Sequence, residues 1–167
     1  SVVCANSPVS FTAGGASTYT WSSGATGNIN TISPVSSSAY TVYGSSTAGC
    51  VGSATVSVLT NSLPVITISP SNPTVCALTA VNFTASGAGS YTWSNGTQNN
   101  LFTVYPGLNE SYSVSGTDPN NGCISSATAA ITTNSLPLLT VSGPSAVCSG
   151  NNATLIASGG NNYAWNT

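Results

Sequence analysis

Apolar and polar residues alternate along short stretches of this chain. Val9, Phe11 and Ala13 interleave with Ser10 and Thr12, and the same two-residue beat returns at Tyr19/Trp21, at Tyr40/Val42 and at Ala54/Val56/Val58. A period of two is that of a strand with one face buried. The pattern predicts strands over residues 7–13, 18–22, 28–33, 39–44 and 53–59. Gly14-Gly15, Ser23-Gly24 and Thr26-Gly27 supply turns between them, and Pro34 stops the third. No stretch sustains the 3.6-residue beat of a helix.

The pattern then repeats. Cys4, Val9, Phe11, Tyr19, Trp21, Tyr40 and Cys50 recur as Cys76, Val81, Phe83, Tyr91, Trp93, Tyr112 and Cys123, and begin again as Cys148, Leu155, Tyr163 and Trp165. The three tryptophans are 72 residues apart, as are Cys4, Cys76 and Cys148. A fixed period of this size is the mark of a modular array. The seam Asn61-Ser62-Leu63-Pro64 returns as Asn134-Ser135-Leu136-Pro137, one residue late, because the turn at 117–122 is longer than its counterpart. Three modules are predicted: residues 1–62, which lack an opening strand; residues 63–135, which are complete and open on 65–69; and residues 136–167, a partial copy opening on 138–142. About seven short strands per module, with turn signals every 8 to 12 residues, read as an all-β array of β-sandwiches.

Five cysteines fall at repeat-equivalent positions. The spacings within modules, 46 and 47 residues, predict one disulfide in each, Cys4–Cys50 and Cys76–Cys123. Closing such a loop stabilises a small module by about 4 kcal/mol in the chain-entropy view. Cys148 is left over, with its partner expected some 47 residues further on, so the chain reads as a window on a longer array. Zinc is disfavoured because there is no His and no close Cys-x-x-Cys. Disulfides place the protein in an oxidising compartment, outside the cell or on its surface.

Charge narrows the function. There is no Lys, Arg or His, and the only acids are Glu110 and Asp118. Nucleic-acid binding lacks its electrostatic driving force, as does adhesion to anionic membranes. No apolar run is long enough to span a bilayer, and no leader pattern opens the chain. Enzymatic chemistry lacks a histidine base, a lysine nucleophile and an arginine clamp, so no catalytic residue, cofactor or metal is expected. Near-zero net charge weakens self-repulsion and favours self-association with neighbouring copies.

The string V-C-x-x-x-x-V-x-F-T-A, followed by Y-T-W-S-x-G, Y-x-V, a later G-C and A-T-x-x-(V/I), carries a family resemblance. It stands here as Val75-Cys76, residues 81–85, residues 91–96, residues 112–114 and Gly122-Cys123, with first-module equivalents. This resembles the PKD-like and Ig-like tandem modules of large Bacteroidota cell-surface proteins. The resemblance implies Ig-like sandwiches of an extracellular adhesin, stalk or filament, commonly exported by the type IX route. The near absence of charge is a departure from such proteins.

Several positions merit weighing. Trp21, Trp93 and Trp165, with Tyr40 and Tyr112, are expected in the cores; exposed Tyr-x-Trp pairs would instead make a platform for stacking sugars. Asp118, beside Asn120 and Asn121, reads as turn chemistry rather than as a calcium ligand. Asn82, Asn95, Asn109 and Asn152 match the N-glycosylation acceptor pattern. The sheet edge left by the absent opening strand is a place for a neighbouring chain to add a strand. The leading expectation is a structural repeat region, an adhesin stalk or filament of modules placed end to end. The alternative is a carbohydrate-binding or adhesive module that acts through surface aromatics.

Overall fold

A computed structural model describes residues 1–166. Fifteen strands and no helix are found among them. In the first module these are β1 (Val2–Cys4), β2 (Val9–Thr12), β3 (Thr18–Trp21), β4 (Ile29–Ile32), β5 (Ser38–Ser45) and β6 (Val51–Asn61). The second has β7 (Thr67–Ser69), β8 (Thr74–Cys76), β9 (Val81–Ser86), β10 (Ser90–Trp93), β11 (Leu101–Val104), β12 (Glu110–Thr117) and β13 (Ile124–Asn134). Two more follow, β14 (Thr140–Ser142) and β15 (Ile156–Ser158). The fold is all-β, with tandem Ig-like sandwiches.

In the second module, one sheet runs β10-β12-β13-β8 and the other β11-β9-β7. Their inner faces meet in a single core. Val81, Phe83 and Ala85 of β9, Phe102 and Val104 of β11, Trp93, Val114, Ala129 and Ile131 are all buried. Each comes from an alternate position, so the two-residue beat sets which residues enter the core. Phe83, Trp93, Phe102 and Tyr112 pack as an aromatic group, with centroids 5.0 Å apart for Trp93–Phe102 and 5.2 Å for Phe102–Tyr112. The first module pairs β1-β6-β5-β3 opposite β2-β4. Its second sheet has two strands among the described residues, β2 and β4.

The short strands β1 and β8 were not legible in the alternation. Each runs parallel to the last strand of its module, with Cys4 opposite Asn61 and Cys76 opposite Asn134. That register corrects the expected disulfides. Cys4 lies at the seam end of the eleven-residue β6, whereas Cys50 immediately precedes its first residue. A strand of that length spans roughly 33 Å, and a disulfide needs Cα atoms within about 7 Å. Cys76 and Cys123 are separated in the same way along β13. Neither Cys4–Cys50 nor Cys76–Cys123 forms. The bond is instead Cys4–Cys123, between modules, with Cα atoms 5.7 Å apart across 119 residues of sequence.

Candidate functional site

The junction is built from one short strand and one turn. β1 delivers Cys4 to the end of β6, where the Ala5 amide donates to the Asn61 carbonyl at 2.9 Å. From the other side comes the turn between β12 and β13. The Asp118 amide donates to the Cys123 carbonyl (2.9 Å), and the Gly122 amide donates to the Asp118 carbonyl (2.9 Å). The Asn120 amide donates to Asp118 Oδ1 at 2.8 Å, and the Cys123 amide donates to Asn121 Oδ1 at 2.8 Å. Asp118 thus spends its carboxylate on its own backbone, as such turns do. Cys123 is fully buried. Cys50, Cys76 and Cys148 are exposed thiols.

Cys50 also borders an opening on the first module. A groove of 610 Å³ runs along Phe11, Tyr19, Trp21, Val42, Cys50 and Val56. The corresponding space in the second module is filled by β7. There Thr67, Ile68 and Ser69 pair with Ser86, Ala85 and Thr84 of β9, and Ile66 and Ile68 pack against the core. Gly116 of β12 leaves room for Ile66: a Cβ there would meet the Ile66 side chain. Its equivalent, Gly44, meets only Ala16 and Tyr19. Gly87, at φ 101°, leaves room for the Val65 carbonyl, and Gly159, at φ 95°, for the Leu138 carbonyl. Gly15 holds the same left-handed conformation, φ 91°, with nothing opposite it. Among the described residues the corresponding seat in the first module is open.

The Tyr-x-Trp pairs divide into two roles. Tyr19 and Tyr91 close their own turns: each hydroxyl accepts from, and donates to, the backbone of Ala16 and Ala88 respectively, at 2.8 to 3.0 Å. Trp21 and Trp93 are 3% and 2% exposed, and their indole N–H groups donate to the carbonyls of Gly27 (3.0 Å) and Asn99 (2.8 Å). Tyr40 and Tyr112 are half-buried at the core margin. Trp165 departs from the core expectation at 54% exposure. β14 and β15 pair only with each other, so no facing sheet covers it.

Asn82, Asn95, Asn109 and Asn152 are exposed. Three of their amides are engaged in the fold: Asn82 Oδ1 accepts from Thr103 Oγ1, Asn95 Oδ1 from the Thr97 amide and Asn109 Oδ1 from the Thr133 amide. The Tyr112 hydroxyl donates to Glu110 Oε2 on the same face of β12. This bond, then partial burial and the carboxylate's charge, push the Tyr112 pKa up to about 12. Among the described residues no group of three or more His, Cys, Asp or Glu gathers as metal ligands.

No protein-family model matches the chain, and no curated protein does either. Among solved structures, the N-terminal four Ig domains of Dscam1 isoform 1.9 and of isoform 6.9 each align at 13% identity and a TM-score of 0.37, over 80% of this chain. The chain spans 43% of the length of each. So remote a likeness carries no inference about this protein's activity or partners.

Proposed function

We propose that this chain is a structural repeat region of an exported protein, a stretch of adhesin stalk or extracellular filament whose modules stand end to end. The Cys4–Cys123 bond carries this reading. It joins one module's first strand to the next module's late turn, so successive modules are tied covalently and not merely strung on a linker. Such a bond belongs to an oxidising setting, outside the cell or on its surface. In repeat arrays stability is a sum over modules and their neighbour contacts, and a covalent contact makes the interface term hard to break. The near-absence of ionic groups fits the same role. Origin among Bacteroidota surface proteins and type IX export follow from the sequence resemblance and belong to this proposal, as do the module limits near residues 62 and 135 and any N-glycans on the four exposed asparagines.

Electron microscopy of the native material at the resolution of single modules tests this. Continuous linear files of modules are the expected image. Discrete particles that bind glycans through aromatic side chains would overturn it in favour of the carbohydrate-binding alternative. Buried Trp21 and Trp93 speak against a sugar platform there. Trp165 and Tyr163, both exposed, are where that alternative would have to act.

A further inference from the structure

The loop that follows the Trp strand closes differently in the two modules. In the first, the Gly27 amide donates to the Tyr19 carbonyl at 3.1 Å and Thr26 bridges to Thr20, so the loop lies along the edge of β3. Gly27 reaches that bond at φ 95°, in the left-handed region that glycine enters freely. In the second module Gln98-Asn99 stand in place of Thr26-Gly27. Asn99 is outside the left-handed region, and its amide makes no such bond to Tyr91. The strip between β10 and residues 98–100 stays open as a groove of 790 Å³. The loop itself is held firmly. The Trp93 amide donates to the Thr97 carbonyl (2.9 Å), the Trp93 indole to the Asn99 carbonyl (2.8 Å) and the Ala85 amide to the Asn100 carbonyl (2.8 Å). With these carbonyls turned inward, the exposed side chains of Gln98, Asn99 and Asn100 line the groove. Of these three amides only that of Asn99 is engaged among the described residues, its Oδ1 accepting from the Leu101 amide at 3.4 Å. Buried Ala85 and half-buried Ala88 and Tyr91 form the floor, and Tyr91 is fixed there by its hydroxyl.

We infer that this groove binds a neutral saccharide. The chain has no Lys, Arg or His to hold a phosphate, sulfate or carboxylate group, and neither Glu110 nor Asp118 lines the groove to hold a cation. Side-chain amides both donate and accept hydrogen bonds, as sugar hydroxyls do. An apolar floor under a polar rim suits a sugar ring, whose C–H face is apolar and whose edge carries hydroxyls. The held loop keeps the amides in place before the sugar arrives, which lowers the entropy lost on binding. A peptide strand fits less well, because strand addition needs a run of free backbone groups. Backbone groups face an edge at alternate residues, and the loop already takes the Trp93 amide, which leaves Tyr91 alone facing the groove. The groove lies at the end of the module that meets the first: Gly89 packs against Pro119, in the turn that leads to Cys123. It is open with that neighbour in place, so modules placed end to end leave it accessible. The inference goes beyond the structural-repeat reading and does not depend on it, since it adds a lateral site to one module.

The test is an NMR titration of the isotope-labelled full chain with mannotetraose, cellotetraose, xylotetraose and chitotetraose to millimolar concentration, with tetragalacturonate as the charged control. At least one neutral tetrasaccharide should give saturable shifts centred on the Tyr91, Asn99 and Asn100 backbone amides and the Gln98 side-chain amide. Tetragalacturonate should give none. Gln98→Thr with Asn99→Gly gives the loop the first module's residues and should close the groove. Binding should weaken about tenfold or more, the size of two lost hydrogen bonds, while the thermal midpoint does not fall. Gln98→Ala leaves the backbone as it is and should weaken binding about threefold, the size of one. The proposal is overturned if none of the neutral sugars shifts these amides, if the shifts centre on Tyr163 and Trp165, or if tetragalacturonate binds equally. A double variant that binds as well as the unaltered chain overturns it too. Shifts at the groove with tetra-alanine and with no sugar would make it a peptide site and overturn it likewise. Linear files of modules in the native material beside any of these failures leave the structural-repeat reading standing. Discrete particles beside sugar binding at Gln98 would sink that reading and leave this one.

Discussion

The two modules share a skeleton, and the second is closed where the first is open. Val81, Phe83, Ala85, Val104 and Val114 are buried in the second; their counterparts Val9, Phe11, Ala13, Ile32 and Val42 are half-buried in the first. The residues are the same or nearly so. What differs is β7, whose Ile66 and Ile68 lie over one side of the core, and one position inside it. Phe102 completes the aromatic group of the second module. Asn30 takes that place in the first, 2% exposed, with no partner for its Nδ2. Burial therefore belongs to the set of neighbours and not to the residue. A core with one side open and one unpaired amide is the weaker of the two, since an unsatisfied buried group costs about 1 to 3 kcal/mol.

The bond between the modules offers the largest effect. Cys4→Ser or Cys123→Ser opens a 119-residue loop, and chain entropy sets an upper limit of about 5 kcal/mol on the loss. Urea unfolding of the oxidised chain should show the drop, and the same variants compared under reducing conditions should show none. Next come the cores. Phe83→Ala should cost about 3 to 5 kcal/mol, and Phe11→Ala clearly less, because Phe11 already faces the groove. Equal losses in denaturant titrations would mean that the open groove does not weaken the first module.

A smaller effect separates two glycines in the same left-handed conformation. Alanine at either is strained, but only at Gly87 does it also displace the Val65 carbonyl. Gly87→Ala should therefore cost about 1 kcal/mol more than Gly15→Ala, beyond the shared backbone strain. Hydrogen exchange at β7 should rise in that variant as the second module comes to resemble the first. In the opposite direction, Asn30→Phe should stabilise the first module by about 1 kcal/mol, since it removes the unpaired amide. A fall in thermal midpoint would show that the first module has no room for the ring.

The smallest difference is electrostatic. Glu110 raises Tyr112 to about 12, whereas Tyr40 has Ser38 at the matching place. The raised value means that folding favours the protonated phenol. That contribution is complete below the ordinary tyrosine pKa near 10 and disappears as pH rises through about 12. Ultraviolet titration should show a late Tyr112 phenolate in the native chain, and Glu110→Gln should move it to lower pH.

The alternation of Val81, Phe83 and Ala85 by itself determined a strand and its inward face, because a pleated chain turns every second side chain the same way. The period determined how often the Cys-to-Trp skeleton recurs, every 72 residues. Neither reveals β1 and β8. These are three-residue strands paired in parallel with residues almost sixty positions away, and a parallel partner so distant leaves no mark on the local pattern. The cysteine partners were hidden for a sharper reason. In a repeating chain Cys50 and Cys123 are equivalent, so spacing cannot tell a bond within a module from one that reaches a module further. Only the tertiary structure decided between them. It placed Cys4 at the seam end of β6 and Cys50 a full strand length away, and a covalent bond forms where atoms meet.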